Sequence, residues 1–129
     1  MALLDDIAGA IVNAGLAGGT SGWTLYKGYL PPEPDHAMVL LETPGLAPEA
    51  ELALDRPAFQ VRLRAEPRAY DVARAKLQAV FAALHGQEPA VGAAYVLLHA
   101  AASGALSLGQ DGRERPQLAM NFRVVKART

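Results

Sequence analysis

The sequence predicts an α+β fold: a mainly antiparallel β-sheet with two α-helices packed on one face. Three observations lead there. First, 129 residues with 51% hydrophobic and 19% charged side chains make one ordinary domain with a single core, so residues 1–129 are read as one unit. Second, Arg56-Pro57-Ala58-Phe59-Gln60-Val61-Arg62-Leu63-Arg64 alternates, which places Phe59, Val61 and Leu63 on one face of a strand and Gln60, Arg62 and Arg64 on the other. Third, beyond Pro67 the period changes. Tyr70, Ala73, Leu77, Val80, Phe81 and Leu84 recur at three- and four-residue spacing, as along one side of a helix.

The other elements are justified in chain order. Leu3 to Leu16 reads as the first helix, burying Leu4, Ile7, Ala8 and Ile11, with Val12 at the margin of that side; Asp5 and Asp6 in its first turn offset the positive end of the helix dipole by about 0.3–1 kcal/mol. Gly15, Gly18, Gly19 and Gly22 end it. They follow a helix and lack a Gly-Lys-Ser/Thr ending, so a phosphate-binding loop is not indicated. Trp23 to Leu30 reads as a strand stopped by Pro31-Pro32-Glu33-Pro34, and Ala37 to Glu42, apolar on both sides, as a strand central to a sheet or at an interface. Thr43 to Asp55, with Pro44, Gly45, Pro48 and the acids Glu49, Glu51 and Asp55, is either a long functional loop or a surface hairpin. His85 falls in the last turn of the second helix, before a capping Gly86. Tyr95 to Ala102 and Ala105 to Leu108 read as strands separated by a bend or bulge at Ser103-Gly104. Asp111-Gly112 marks a tight turn, with positive φ expected there. In the last strand, Gln117 to Lys126, the residues Leu118, Met120, Phe122 and Val124 should join the core.

Charge divides along the chain. Residues 1–55 hold Lys27 against eight acids, a net of -7, and residues 56–129 hold eleven Lys or Arg against five acids, a net of +6. Either the halves fold into neighbouring, self-compensating surfaces, or each subunit has an acidic and a basic side suited to head-to-tail contacts between copies. Sparse aromatic residues and the lack of a dense basic block argue against specific nucleic-acid binding. No apolar run is long enough to span a membrane, and Asp5 and Asp6 stand where a signal peptide would be basic, so neither membrane insertion nor secretion by that route is expected. The chain has no cysteine, which excludes disulfide and thiolate chemistry.

A catalytic constellation is not visible. His36, His85 and His99 lack metal-ligand spacing, and Ser21, Ser103 and Ser107 lack the Gly-x-Ser-x-Gly elbow. No catalytic residue, cofactor or metal is therefore expected. Arg113 and Arg115 beside Asp111 read as a solvated charged turn or an anion contact. These absences shift weight toward an assembly or binding role.

With those elements placed, the chain resembles the tailed-bacteriophage minor capsid and tail terminator proteins. The resemblance rests on the early helix, on Arg56 to Arg64 followed by the Tyr70 to Leu84 helix, and on Asp111-Gly112-Arg113 leading to Met120-Asn121-Phe122-Arg123-Val124. It implies a structural virion protein of the tail or neck, assembled in the host cytoplasm. Such a subunit forms a hexameric ring on the last ring of the tail tube, stops tube polymerisation and presents the tail to the head connector. The partners implied are further copies of the chain, a tail tube protein and a head-tail connector protein. On this reading Gln60, Arg62 and Arg64 are a candidate surface for a neighbouring subunit or the tube, Glu49, Glu51 and Asp55 its complement, and Asp111, Arg113 and Arg115 a second contact. Replacing Arg62 and Arg64 by Glu should then leave the monomer folded, and salt should dissociate the ring. The rival readings are a head-completion or stopper protein of the neck and a small thioesterase-like enzyme using Gln78 and His85.

Overall fold

The computed structural model describes residues 2–49, 54–85, 95–100 and 105–127. The chain runs α1 (Ala2–Asn13), β1 (Thr24–Lys27), β2 (Ala37–Glu49), β3 (Leu54–Arg64), α2 (Tyr70–Leu84), β4 (Tyr95–Ala100), β5 (Leu106–Gln110) and β6 (Pro116–Ala127). The strands form one sheet in the order β1-β2-β3-β6-β4, with β5 also paired to β6. β3 lines one edge of β6, from Arg64 opposite Gln117 to Leu54 opposite Ala127. The other edge is shared: β4 covers the C-terminal half of β6 and β5 the N-terminal half. All pairings are antiparallel except β1 with β2, which is parallel. The expected α+β layer is thus present, with its first strand as the parallel exception.

Both helices pack on the same face of the sheet. α1 ends as its glycine requires: Gly15 takes φ +76°, its N–H donates to the Val12 carbonyl at 2.9 Å, and the Leu16 N–H donates to the Ile11 carbonyl at 3.2 Å. That is the Schellman arrangement, which satisfies carbonyls the helix itself leaves open. Ile7 and Ile11 of α1, Leu77 and Leu84 of α2, and Phe59, Val61 and Leu63 of β3 are fully buried in one cluster with Leu118 and Phe122 of β6. Phe59 and Phe122 are register partners and stack at 5.1 Å, a cross-strand aromatic pair at the centre of the core. Each large side chain so buried stabilises the fold by roughly 1.5–3 kcal/mol before conformational entropy is counted.

Of the two alternatives open for Thr43 to Asp55 the hairpin holds, since β2 continues to Glu49 and β3 begins at Leu54, paired with register shifts between Thr43 and Glu49. Pro44 and Pro48 end regular pairing without ending the strand, as bulged positions tolerate a residue that lacks an N–H. At Asp111-Gly112 the left-handed residue is Glu114 (φ +60°), not Gly112. Glu114 N–H donates to the Asp111 carbonyl at 3.0 Å and Asp111 N–H to the Arg115 carbonyl at 3.1 Å, so three residues, not two, form the loop. Arg64 is not on a wet surface: it is 3% exposed. The expected bend at Ser103-Gly104 lies outside the described residues.

Candidate assembly surfaces

The alternation of β3 sends Ala58, Gln60, Arg62 and Arg64 to the sheet face opposite the helices. A polar row crosses that face. Gln60 donates from Nε2 to Asn121 Oδ1 at 3.0 Å, and its Oε1 accepts from Arg62 Nε and Nη2 at 3.3 and 3.1 Å. Arg62 stands between Val39 and Ala119, its register partners on β2 and β6, and both are buried under it and its neighbours. Arg62 therefore covers apolar surface with its stem while its guanidinium is held by Gln60. Beside the row lies a shallow open depression lined by Thr43, Ala58, Asn121 and Arg123. This face has the polar residues expected of it, already ordered and partly exposed.

Arg64 does something else. The segment Pro31-Pro32-Glu33-Pro34-Asp35 crosses the end of β3, and its prolines present carbonyls with no N–H of their own. A guanidinium, all donor and no acceptor, complements such a stretch. Arg64 donates from Nη2 to the Pro34 carbonyl and from Nε to the Asp35 carbonyl. Arg115, 4% exposed, donates from Nη1 to the Pro32 carbonyl at 2.6 Å and to Asp35 Oδ1 at 3.1 Å, and from Nε to Asp111 Oδ2 at 2.8 Å. Arg113 completes the grip by pairing with Glu33. Burial, and then the charge of Arg115, push the Arg64 guanidinium below its ordinary pKa, which Asp111, Asp35 and Glu33 counter. Burial raises the Asp111 carboxyl, yet the N–H groups of Arg115 and Arg113 and the Arg115 guanidinium hold it below the usual carboxylate value.

Two of the nine sequence-proposed contact residues are consequently corrected: Arg64 and Arg115 are internal clamps on the proline segment, and neither presents its charge to a neighbour. Arg113 is exposed but spends its charge on Glu33. Gln60 and Arg62 stand on the open face. The backbone of Glu49 pairs with Leu54 and that of Asp55 with Lys126, while Glu51 lies outside the described residues. Asp55 is half-buried.

The clamp extends to residues that the sequence reading passed over. Glu66-Pro67-Arg68-Ala69 is a turn closed by the Ala69 N–H on the Glu66 carbonyl at 3.1 Å, with Arg68 left-handed at φ +64°. Arg68 and Glu114 are the two left-handed non-glycine residues among those described, and they face each other. The Arg68 N–H donates to the Glu114 carbonyl at 3.1 Å, and their side chains pair at 3.4 Å. Each holds the other in a conformation that L residues adopt at a cost. Above them His36 lies 3.7 Å from Glu66 and stacks on Trp23 at 4.7 Å. The proline run followed by isolated arginines at two strand ends was the available signal for this network.

Among the described residues no three or more His, Asp or Glu side chains gather as metal ligands, and His85 stacks on Phe81 at an exposed helix end. No helix among the described residues is long and apolar enough to cross a membrane. The arrangement is a helix-backed sheet with one open face and an internally tied turn.

Comparison with known proteins gives that arrangement a family. The model of the bacteriophage tail terminator proteins matches residues 10–128, and the chain belongs to that family. No curated protein matches the sequence. Among solved structures, the fold is similar to a chain of the virion of a native gene transfer agent particle, with a TM-score of 0.68 at 19% identity, covering 97% of this chain and 94% of that one. Membership of that family makes it a structural tail protein.

Proposed function

We propose that the protein ends the tail tube. Six copies form a ring on the last ring of the tube, stop its polymerisation and join the tail to the head connector. Membership of the tail terminator family carries this reading. Fold likeness over nearly the whole length of a chain from a gene transfer agent virion supports a place in the particle. The open face with Gln60 and Arg62 is the surface offered to a neighbour or to the tube, since its polar groups are ordered before any partner arrives. No step of bond making is assigned to it; the role is structural, and no cofactor is needed for it.

The test is mass and shape in solution across protein concentration, together with the protein's position on assembled particles. A six-fold ring, found at the tail side of the neck, is expected. Location at the capsid side would instead make it a stopper of the head. A chain that stays monomeric at every concentration and on the tube would remove the ring altogether.

A further inference from the structure

Among the described residues the sheet ends in β1 on one side and in β4 and β5, both paired to β6, on the other, and β1 and β5 differ in a complementary way. β5 is exposed at all five positions, Leu106 and Leu108 being 52% and 38% exposed, and Leu106-Ser107-Leu108-Gly109-Gln110 carries no charge. Edge strands of soluble proteins are ordinarily blunted by charge, proline, a bulge or a covering element, because unpaired N–H and C=O groups recruit further strands. β5 has a register shift between Ser107 and Gln110, with Gly109 at φ +82°, but neither charge nor proline, and its side chains are exposed. At the opposite end, β1 is bonded to β2 on one side, and beside its other side runs an open groove lined by Ala8 and Val12 of α1 with Trp23, Leu25 and Pro34.

Strand direction relates the two edges. β5 is antiparallel to β6, β6 to β3, and β3 to β2, while β1 is parallel to β2. β1 and β5 therefore run in opposite senses, and a second copy laid on in the same orientation would bring β5 against β1 as an antiparallel pair. The faces also agree. Leu106 stands opposite Ala119, and Thr24 and Tyr26 stand opposite Ala37 and Val39, so all three belong to the helix-free face. The leucines of one copy would meet Tyr26 of the next, an aromatic–aliphatic cross-strand contact. Ser107, opposite Leu118, would turn to the other side, where α1 rises beside β1.

We infer that β5 of one subunit adds to β1 of the next, so that the sheet continues from copy to copy. This rests on the ring reading and adds which edges close it. The contact is heterologous, joins β1 to the β5 part of the opposite edge, and closes only when the last copy meets the first. Pairing β5 with β5 would be isologous, would stop at a dimer, and would leave β1 open.

The cysteine-free chain makes a clean test. Thr24→Cys is combined with Leu106→Cys or with Leu108→Cys, each on an exposed position of the same face, and a short thiol cross-linker is applied to the assembled protein. One of the two registers should give a ladder reaching the full ring on denaturing gels, with each single-cysteine chain remaining monomeric. A dimer from Leu108→Cys alone would overturn the inference in favour of like edges. An intact ring without a ladder in either register would overturn it while leaving the ring. A chain with no ring at all removes both. Leu106→Lys with Leu108→Lys, tested alongside, should keep the monomer's circular dichroism and raise the concentration needed for assembly by about tenfold or more. Unchanged assembly of that variant would also refute the edge contact.

Discussion

Replacing Arg115 by Ala should destabilise the subunit by about 2–4 kcal/mol, although the residue looks from its sequence context like one of several charges in a solvated turn. Its guanidinium is 4% exposed and makes three hydrogen bonds, to Asp111, to the Pro32 carbonyl and to Asp35. Bonds to charged groups are worth about 1.5–3 kcal/mol, and breaking a buried ion pair about 3–5 kcal/mol because the partner is left without compensation. Asp111 keeps its two backbone N–H donors and Asp35 is half open to water, so the lower part of that range applies. For a domain of this size a urea slope of about 1–3 kcal/mol/M turns the loss into a midpoint shift of about 1–2 M. Arg113→Ala is the internal control, since its pair with Glu33 is exposed on both sides and its loss should move the midpoint far less. Equal midpoints for the two variants would refute the clamp.

Other outcomes follow from the same contacts. Arg64→Glu should unfold or strongly destabilise the subunit, because it sets a carboxylate against two carbonyls, while Arg62→Glu should leave thermal unfolding within about 1 kcal/mol of the parent and act on assembly. The lowered pKa of Asp111 means that the unfolded state takes up protons first: its stabilisation is complete above about pH 4–5 and is lost as pH falls through the still lower folded value. Asp111→Asn should flatten the acid limb of a stability–pH curve, and an unchanged limb would assign it elsewhere. Lys76 donates to the Leu16 carbonyl at 3.1 Å and lies 5.4 Å from the Trp23 ring centre, so Lys76→Ala should cost about 1–2 kcal/mol by chemical denaturation.

What the sequence made legible was governed by period, and what it hid was governed by contacts distant in the chain. Phe59, Val61 and Leu63 announce their face because alternation in a strand is a local property, and α2 has the bounds that its three- and four-residue spacing implies. Arg64 obeys the same alternation and does lie on the second face. Whether that face is wet at Arg64 depends on Pro34 and Asp35, thirty and twenty-nine positions earlier, which cover it. Alternation tells sides of a sheet apart; it does not tell which parts of a side are roofed. The Asp111 turn shows a similar limit. An Asp-Gly pair suggests a two-residue turn, yet Asp111 spends its carboxylate on Arg113 and Arg115, and the left-handed position passes to Glu114, where Arg68 supports it. The long hairpin was one of two open alternatives because its prolines obscure a strand that is bulged.

The same covering changes what should hold a ring together. The division of charge between the two halves of the chain is consistent with contacts between copies, but part of it is met within the subunit: Arg115 pairs with Asp35 and Arg113 with Glu33, each joining the acidic half to the basic half. Charges engaged in this way contribute little to a neighbour, whereas β5 presents an uncharged edge with two exposed leucines. If that edge closes the ring, assembly should be nearly indifferent to salt between low ionic strength and 0.5 M, and slightly favoured by sulfate, which strengthens apolar burial. Exposed ion pairs would behave otherwise, since screening shortens their reach to about 10 Å at 0.1 M salt. Sedimentation across a chloride series measures this directly. Dissociation of the ring as chloride rises would show that surface charges such as Arg62 and Arg123 outweigh the apolar edge, and the β5 contact would have to be given up as the main bond between copies.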